Sequence, residues 1–306
     1  MDKLLQRLAC HGRAPGGDTG AVLSAPVLDN LRATWAGPIA SIDPDQFGAW
    51  LQTALGNIAA DAGDRRLPVA GNVAVIPVRG VVTPRRMEFY EQYGLTTSVD
   101  TIRAQLSAAR GAEGVAKILM VYDTPGGGTF GVDELAAEIA AAAAEKPVTA
   151  HVEYMAASAG YWLAAQASQI VASPSALVGS IGVYMTHVDD TGWREQMGVA
   201  VEYISAGRDK LLGAHGPLTD GAREYLQGLV DQTYADFVGA VARGRGVSKS
   251  VAAGDQFGAG RVVTPRDALA AGMIDRVATL QDTIKQLDGP GARTRIRQRA
   301  LNLIGG

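Results

Sequence analysis

Ser158 lies in the stretch His151–Trp162, HVEYMAASAGYW, between Ala156, Ala157, Ala159 and Gly160. With neighbours this small, nothing shields its hydroxyl or holds a peptide backbone away, so Ser158 is a candidate nucleophile. The same residues would also suit an Ala/Ser/Gly helix packed tightly on a neighbour. An acyl-transfer serine further needs a base and donors for the developing oxyanion. Upstream, Pro125-Gly126-Gly127 is a tight turn without a Cβ to block a substrate carbonyl. One N–H from Gly126 or Gly127, and a second from Ala159, could face that oxygen. Removing one such donor costs on the order of 3 kcal/mol in a working site.

The base is harder to place. Of the four histidines, His11, His151, His187 and His215, only His187 follows a strand pattern at a suitable edge, and Val188-Asp189-Asp190 beside it forms no motif. Lys210, in SAGRDKLLGAHGPLT, is the better candidate. A lysine acts as a base only when neutral, which calls for apolar walls and a nearby cation. Leu211 and Leu212 would supply the walls and Arg208 the cation. A competing reading takes Gly126, Gly128 and Gly131 as a G-x-G-x-x-G dinucleotide fingerprint, with Glu153 as the ribose acid. Against it, Asp123-Thr124-Pro125 stands between strand and glycines, and a strand unit precedes the loop.

The elements that must carry these residues alternate in type. Strands are expected at Val73–Val78, Ala116–Tyr122, Pro147–Val152, Ile170–Ala172, Ile181–Met185 and Val199–Ile204, with a last one after Gly272. Helices are expected at Ser98–Ala109 and Val132–Ala144, in the segment carrying Ser158, from Thr219 onward, and from Thr264 to Gly272. Strands alternating with helices of ten or more residues predict βαβ crossovers, hence an α/β fold with a largely parallel sheet covered by helices. Residues 1–68 read as a flexible leader followed by a helix that opens at Asp43-Pro44. Residues 69–285 form the main domain, and 286–306 a basic tail with Arg293, Arg295, Arg297 and Arg299.

Among 306 residues, 47% are apolar and 19% charged, with a formal net charge of −3. That balance argues against general nucleic-acid binding. No apolar run approaches the ~20 residues of a membrane span. Asp2 and Arg7 interrupt the opening stretch where a secretory signal would be uninterrupted, so a cytoplasmic protein is expected. Cys10 is the only cysteine, which excludes an intramolecular disulfide and a cysteine-rich zinc site. No metal or cofactor is expected.

In order, Asp123-Thr124-Pro125-Gly126-Gly127-Gly128, Ala157-Ser158-Ala159-Gly160-Tyr161-Trp162, Gly179-Ser180-Ile181-Gly182-Val183, Gly207-Arg208-Asp209-Lys210 and Gly260-Arg261-Val262-Val263 through Asp275 resemble the signal peptide peptidase A family of Ser/Lys proteases. This family lies within the ClpP/crotonase superfamily, and the likeness is greatest to its phage capsid-maturation branch. The resemblance implies a ClpP/crotonase-like fold of repeated β-β-α units. It implies Ser158 as nucleophile, Lys210 as general base, Gly126 or Gly127 and Ala159 as oxyanion donors, and Ser180 as the hydroxyl that orients the lysine. It also implies a homo-oligomeric ring in which the lysine of one copy reaches the serine of the next. Thr124 stands where the family often has serine.

The expected activity is therefore that of a serine endopeptidase on extended peptide segments with small or apolar side chains. Scaffold or capsid proteins during phage head maturation, in the cytoplasm of a bacterial host, are the expected substrates. A peptide-degrading protease of the same family is the alternative within that chemistry. A crotonase-like acyl-CoA enzyme would need neither Ser158 nor Lys210, and an inactive capsid-associated shell protein would need no site.

Overall fold

The computed structural model describes residues 69–70 and 72–288. The leader with Cys10 and His11, the helix expected from Asp43 and the arginine tail lie outside the described residues. The described chain runs β1 (Val69–Ala70), β2 (Val73–Thr83), α1 (Glu88–Gln92), β3 (Thr96–Ser98), α2 (Val99–Gly111), β4 (Lys117–Gly127), α3 (Val132–Glu145), β5 (Val148–Ala157) and α4 (Ala159–Ala164). It continues through β6 (Gln169–Ala172), β7 (Leu177–Gly179), α5 (Thr191–Gln196), α6 (Asp220–Arg245), α7 (Lys249–Ala253), β8 (Val262–Val263), α8 (Pro265–Ala271), β9 (Arg276–Val277) and α9 (Leu280–Asp288).

The strands form one sheet in the order β1-β2-β4-β5-β6-β9, with β3 on β2, and β7 joining β5 to β8. All pairings are parallel except β1 with β2 and β7 with β8. The expected α/β, mainly parallel sheet is thus what the chain forms. The central strands read as unbroken apolar runs because both faces are covered. On one face Ile76, Ile118, Met120, Ala150 and Val152 pack under α2, α3, α4 and α6. On the other, Val73, Val75, Leu119 and Val121 meet Leu280, Ile284 and Leu287 of α9.

Local chemistry sets the helix starts. Ser98, Thr219 and Thr264 each accept from the backbone N–H three residues on, and Pro265 follows Thr264 at the first helical position. Gly272, at φ 81°, closes α8 in the left-handed conformation.

Two expected strands are not formed. Residues 181–185 and 199–204 carry no strand assignment, and the strand of this region is instead Leu177–Gly179, just upstream. The apolar content that suggested strands is there, but a strand also needs a partner for its N–H and C=O groups. The side chains of Val199, Val201 and Tyr203 lie exposed, and Ile204 is 95% exposed.

Candidate active site

Ser158 follows β5 and stands at the N-cap of α4, in a sharp strand-to-helix turn with φ 51° and ψ −125°. It is therefore not inside the helix expected around it. A non-glycine residue in this region stores roughly 1–3 kcal/mol of strain and persists only where surrounding contacts impose it. Here the Ser158 N–H donates to the Gly179 carbonyl at 2.8 Å, and its own carbonyl accepts from Trp162 N–H at 2.9 Å. Beneath, Trp162 stacks on Phe237 of α6 with ring centroids 4.5 Å apart, and the buried Tyr161 hydroxyl donates to Met273 O at 2.8 Å. The helix start is thereby fixed, with the half-buried Ser158 at the surface and Ala159 buried behind it.

Pro125-Gly126-Gly127 forms the end of strand β4, held by pairing with Val81 and Val82, rather than the tight turn expected, and it meets this corner directly. A Cβ on Gly126, at φ 98°, would lie 2.6 Å from Ser158 Cβ, 2.8 Å from Ala157 O and 3.0 Å from Ala159 N. Only glycine lets the two backbones approach so closely. The two glycines are not equivalent as donors. The buried Gly126 N–H donates to Thr124 Oγ1 at 3.0 Å. Gly127 is exposed and pairs with Val82 of β2, whose carbonyl takes the N–H of Gly128 at 2.9 Å. Along a parallel ladder alternate residues bond to opposite neighbours, so the Gly127 N–H points away from β2, towards the side where β5 turns off into α4.

Ser180 joins the same corner. Ala157 of β5 is in register with Gly179 of β7, which makes Ser158 and Ser180 the next residues on adjacent parallel strands. Ser180 also has a positive φ, 54°, and its N–H donates to Arg261 O at 2.9 Å.

Among the described residues, no hydrogen bond or ion pair joins Lys210 to this corner. The lysine lies exposed in the 199–218 segment, where its N–H donates to Gly207 O at 3.1 Å. The apolar walls expected from Leu211 and Leu212 are only half closed, and Arg208 pairs with Asp209 at 2.9 Å rather than facing the lysine. The three described histidines are engaged elsewhere. His151 is fully buried between Thr283 Oγ1 at 3.1 Å and Ser173 Oγ at 3.2 Å, His187 Nε2 meets Gly216 O at 2.8 Å, and His215 packs edge-on to Tyr203. The dinucleotide reading meets a geometric obstacle: Gly126 and Gly127 are strand residues of β4, not a turn opening a helix, and Glu153 stands inside β5 beside His151.

Sequence reasoning passed over two features. Thr124, noted there only as a departure from a serine, contacts both halves of the corner. Arg79, Asp123 and Glu153 lie on adjacent strands behind the glycine end of β4. Burial pushes the Asp123 carboxyl up, with Glu153 adding to the rise and Arg79 opposing it. Among the described residues no group of three or more His, Cys, Asp or Glu could hold a metal ion.

An α/β protein with a strained serine at a strand-to-helix corner, facing glycine backbone, is the class defined by this architecture. The chain belongs to peptidase family S49, whose model matches residues 140–292. It is 32% identical over 240 residues to capsid assembly protease C of Escherichia phage lambda, covering 76% of this chain and 54% of the phage protein. It is 30% identical over 275 residues to protease 4 of Salmonella typhi, covering 88% and 43%. The chain spans about half the length of the curated relatives it matches. Among solved structures, the 1510-N membrane-bound stomatin-specific protease aligns over 75% of this chain and 91% of its own, with a TM-score of 0.46 and 17% identity. No helix of the described residues is long and apolar enough to cross a membrane.

Proposed function

We propose that this protein is a serine endopeptidase in which Ser158 attacks the scissile carbonyl and Lys210 is the base. The neutral Lys210 amine takes the Ser158 Oγ proton as Oγ bonds to the carbonyl carbon. The resulting oxyanion is met by the Gly127 and Ala159 N–H groups, while Ser180 orients the amine. Lys210 then gives its proton to the departing peptide nitrogen, and water, deprotonated by the same lysine, releases the acyl group. The single observation that carries the reading is the contact of Gly126 backbone with the strained Ser158 corner. Membership of peptidase family S49 supports the same chemistry.

Lys210 comes from a neighbouring copy in this reading. Its exposure, and that of the apolar side chains at 199–204, supports a partner surface there. The proposed substrates are extended segments of scaffold or capsid proteins in phage head maturation, in the cytoplasm of a bacterial host. The likeness to a capsid assembly protease supports that setting, whereas the longer match to protease 4 favours general peptide degradation. Casein and self-cleavage assays test the chemistry. Ser158→Ala and Lys210→Ala should each lower hydrolysis by at least about 1,000-fold. Full activity in either variant removes that residue from the mechanism.

A further inference from the structure

We infer that Thr124 is a positioning residue that holds both halves of the proposed oxyanion site in register, a role that rests on the serine-peptidase reading above. Thr124 is fully buried, and each of its side-chain atoms is committed. Oγ1 donates to Gly80 O at 2.6 Å and accepts the Gly126 N–H at 3.0 Å. These two bonds fall where the ladders are broken: the β2–β4 register shifts between Arg79 and Val81, and the β4–β5 register shifts between Tyr122 and Thr124. Pro125, next in the chain, has no N–H to offer. The hydroxyl therefore replaces backbone bonds that the bulge removes, and it sets the plane of the Pro125–Gly126 peptide. With Gly126 held at φ 98° against the Ser158 corner, that plane helps to set the direction in which the following Gly127 N–H leaves β4.

The methyl group acts on the other half. A Cβ on Gly160 would lie 2.4 Å from Thr124 Cγ2, so the methyl sits directly against the Gly160 backbone, one residue beyond Ala159. One side chain thus ties the glycine end of β4 to the start of α4. Serine at this position would keep the hydroxyl bridge and lose the methyl contact. Valine would keep the methyl and leave Gly80 O and the Gly126 N–H unpaired in a buried place, a costly arrangement.

The experiment measures phosphonylation of the full chain by a fluorophosphonate probe, separating the limiting rate from the half-saturating concentration, in wild type, Thr124→Ser, Thr124→Ala, Thr124→Val and Ser158→Ala. The limiting rate should fall about 30- to 100-fold in Thr124→Ala and Thr124→Val, somewhat less than direct loss of an oxyanion donor costs. The half-saturating concentration should stay within about threefold, and Thr124→Ser should stay within about fivefold of wild type in rate. Equal rates in Thr124→Ala and Thr124→Ser, or losses confined to half-saturation, overturn the inference. If Thr124→Val does not fold, the alanine–serine pair decides alone, because both lack the methyl and differ only in the hydroxyl. Labelling that survives Ser158→Ala overturns the peptidase reading and this inference with it. Labelling that depends on Ser158 but is indifferent to the Thr124 hydroxyl overturns the inference alone.

Discussion

Ser158 holds a backbone conformation that L-residues with a Cβ avoid, and the contacts enforcing it come from three separated stretches: Gly126, Gly179 and Trp162. The Gly126 contact is tight enough to be tested by adding a single methyl group. Gly126→Ala puts a Cβ against Ser158 Cβ and Ala159 N at a φ of 98°, and the φ alone costs about 1–3 kcal/mol. Activity should fall at least about 100-fold, while a urea titration should show a loss of stability of that order. Wild-type activity in Gly126→Ala would mean that the corner is not the site. Ser158, the glycine pair and Ala159 were legible in the sequence because small residues stand out when they cluster. The distinction between Gly126 and Gly127 was not, since it depends on which neighbour each amide faces.

At the level of elements, β2, β4 and β5 carry the site on their C-terminal ends and a charged row behind it. Asp123 stands between Arg79 and Glu153 in that row, with its carboxyl raised chiefly by burial. A raised carboxyl pKa means that the folded state favours the protonated form. The stability this contributes is complete below the ordinary aspartate range and is lost as pH rises through the raised value. Asp123→Asn escapes that loss, so its Tm minus that of wild type should increase between about pH 4 and pH 7. A difference that decreases over this interval would contradict the burial account. The buried strands and the capped helices were legible because their apolar runs and Ser/Thr caps are local. Segments 181–185 and 199–204 were misread because strand formation depends on a partner, and a run of apolar residues does not say whether one is present. The short β3, β7 and β8 gave too few residues for any pattern.

For the molecule as a whole, the proposed base stands exposed on a segment that also exposes Val199, Val201, Tyr203 and Ile204. In the proposed reading a second copy buries that surface and brings its Lys210 to the neighbour's Ser158. Mixing inactive Ser158→Ala with inactive Lys210→Ala should then restore roughly a quarter of wild-type activity in an assembly of random pairs, because a neighbouring pair regains a dyad only when each supplies its intact residue. A mixture as inactive as its components would place the dyad within one chain. The motif order along the chain singled out the serine and lysine as candidates, but whether they meet depends on tertiary and quaternary structure that no local pattern encodes. The most direct measurement is mass-spectrometric mapping of the fluorophosphonate adduct on the wild-type protein. The account predicts a single adduct on Ser158 that is lost in Ser158→Ala, and an adduct on another residue, or none, would contradict it.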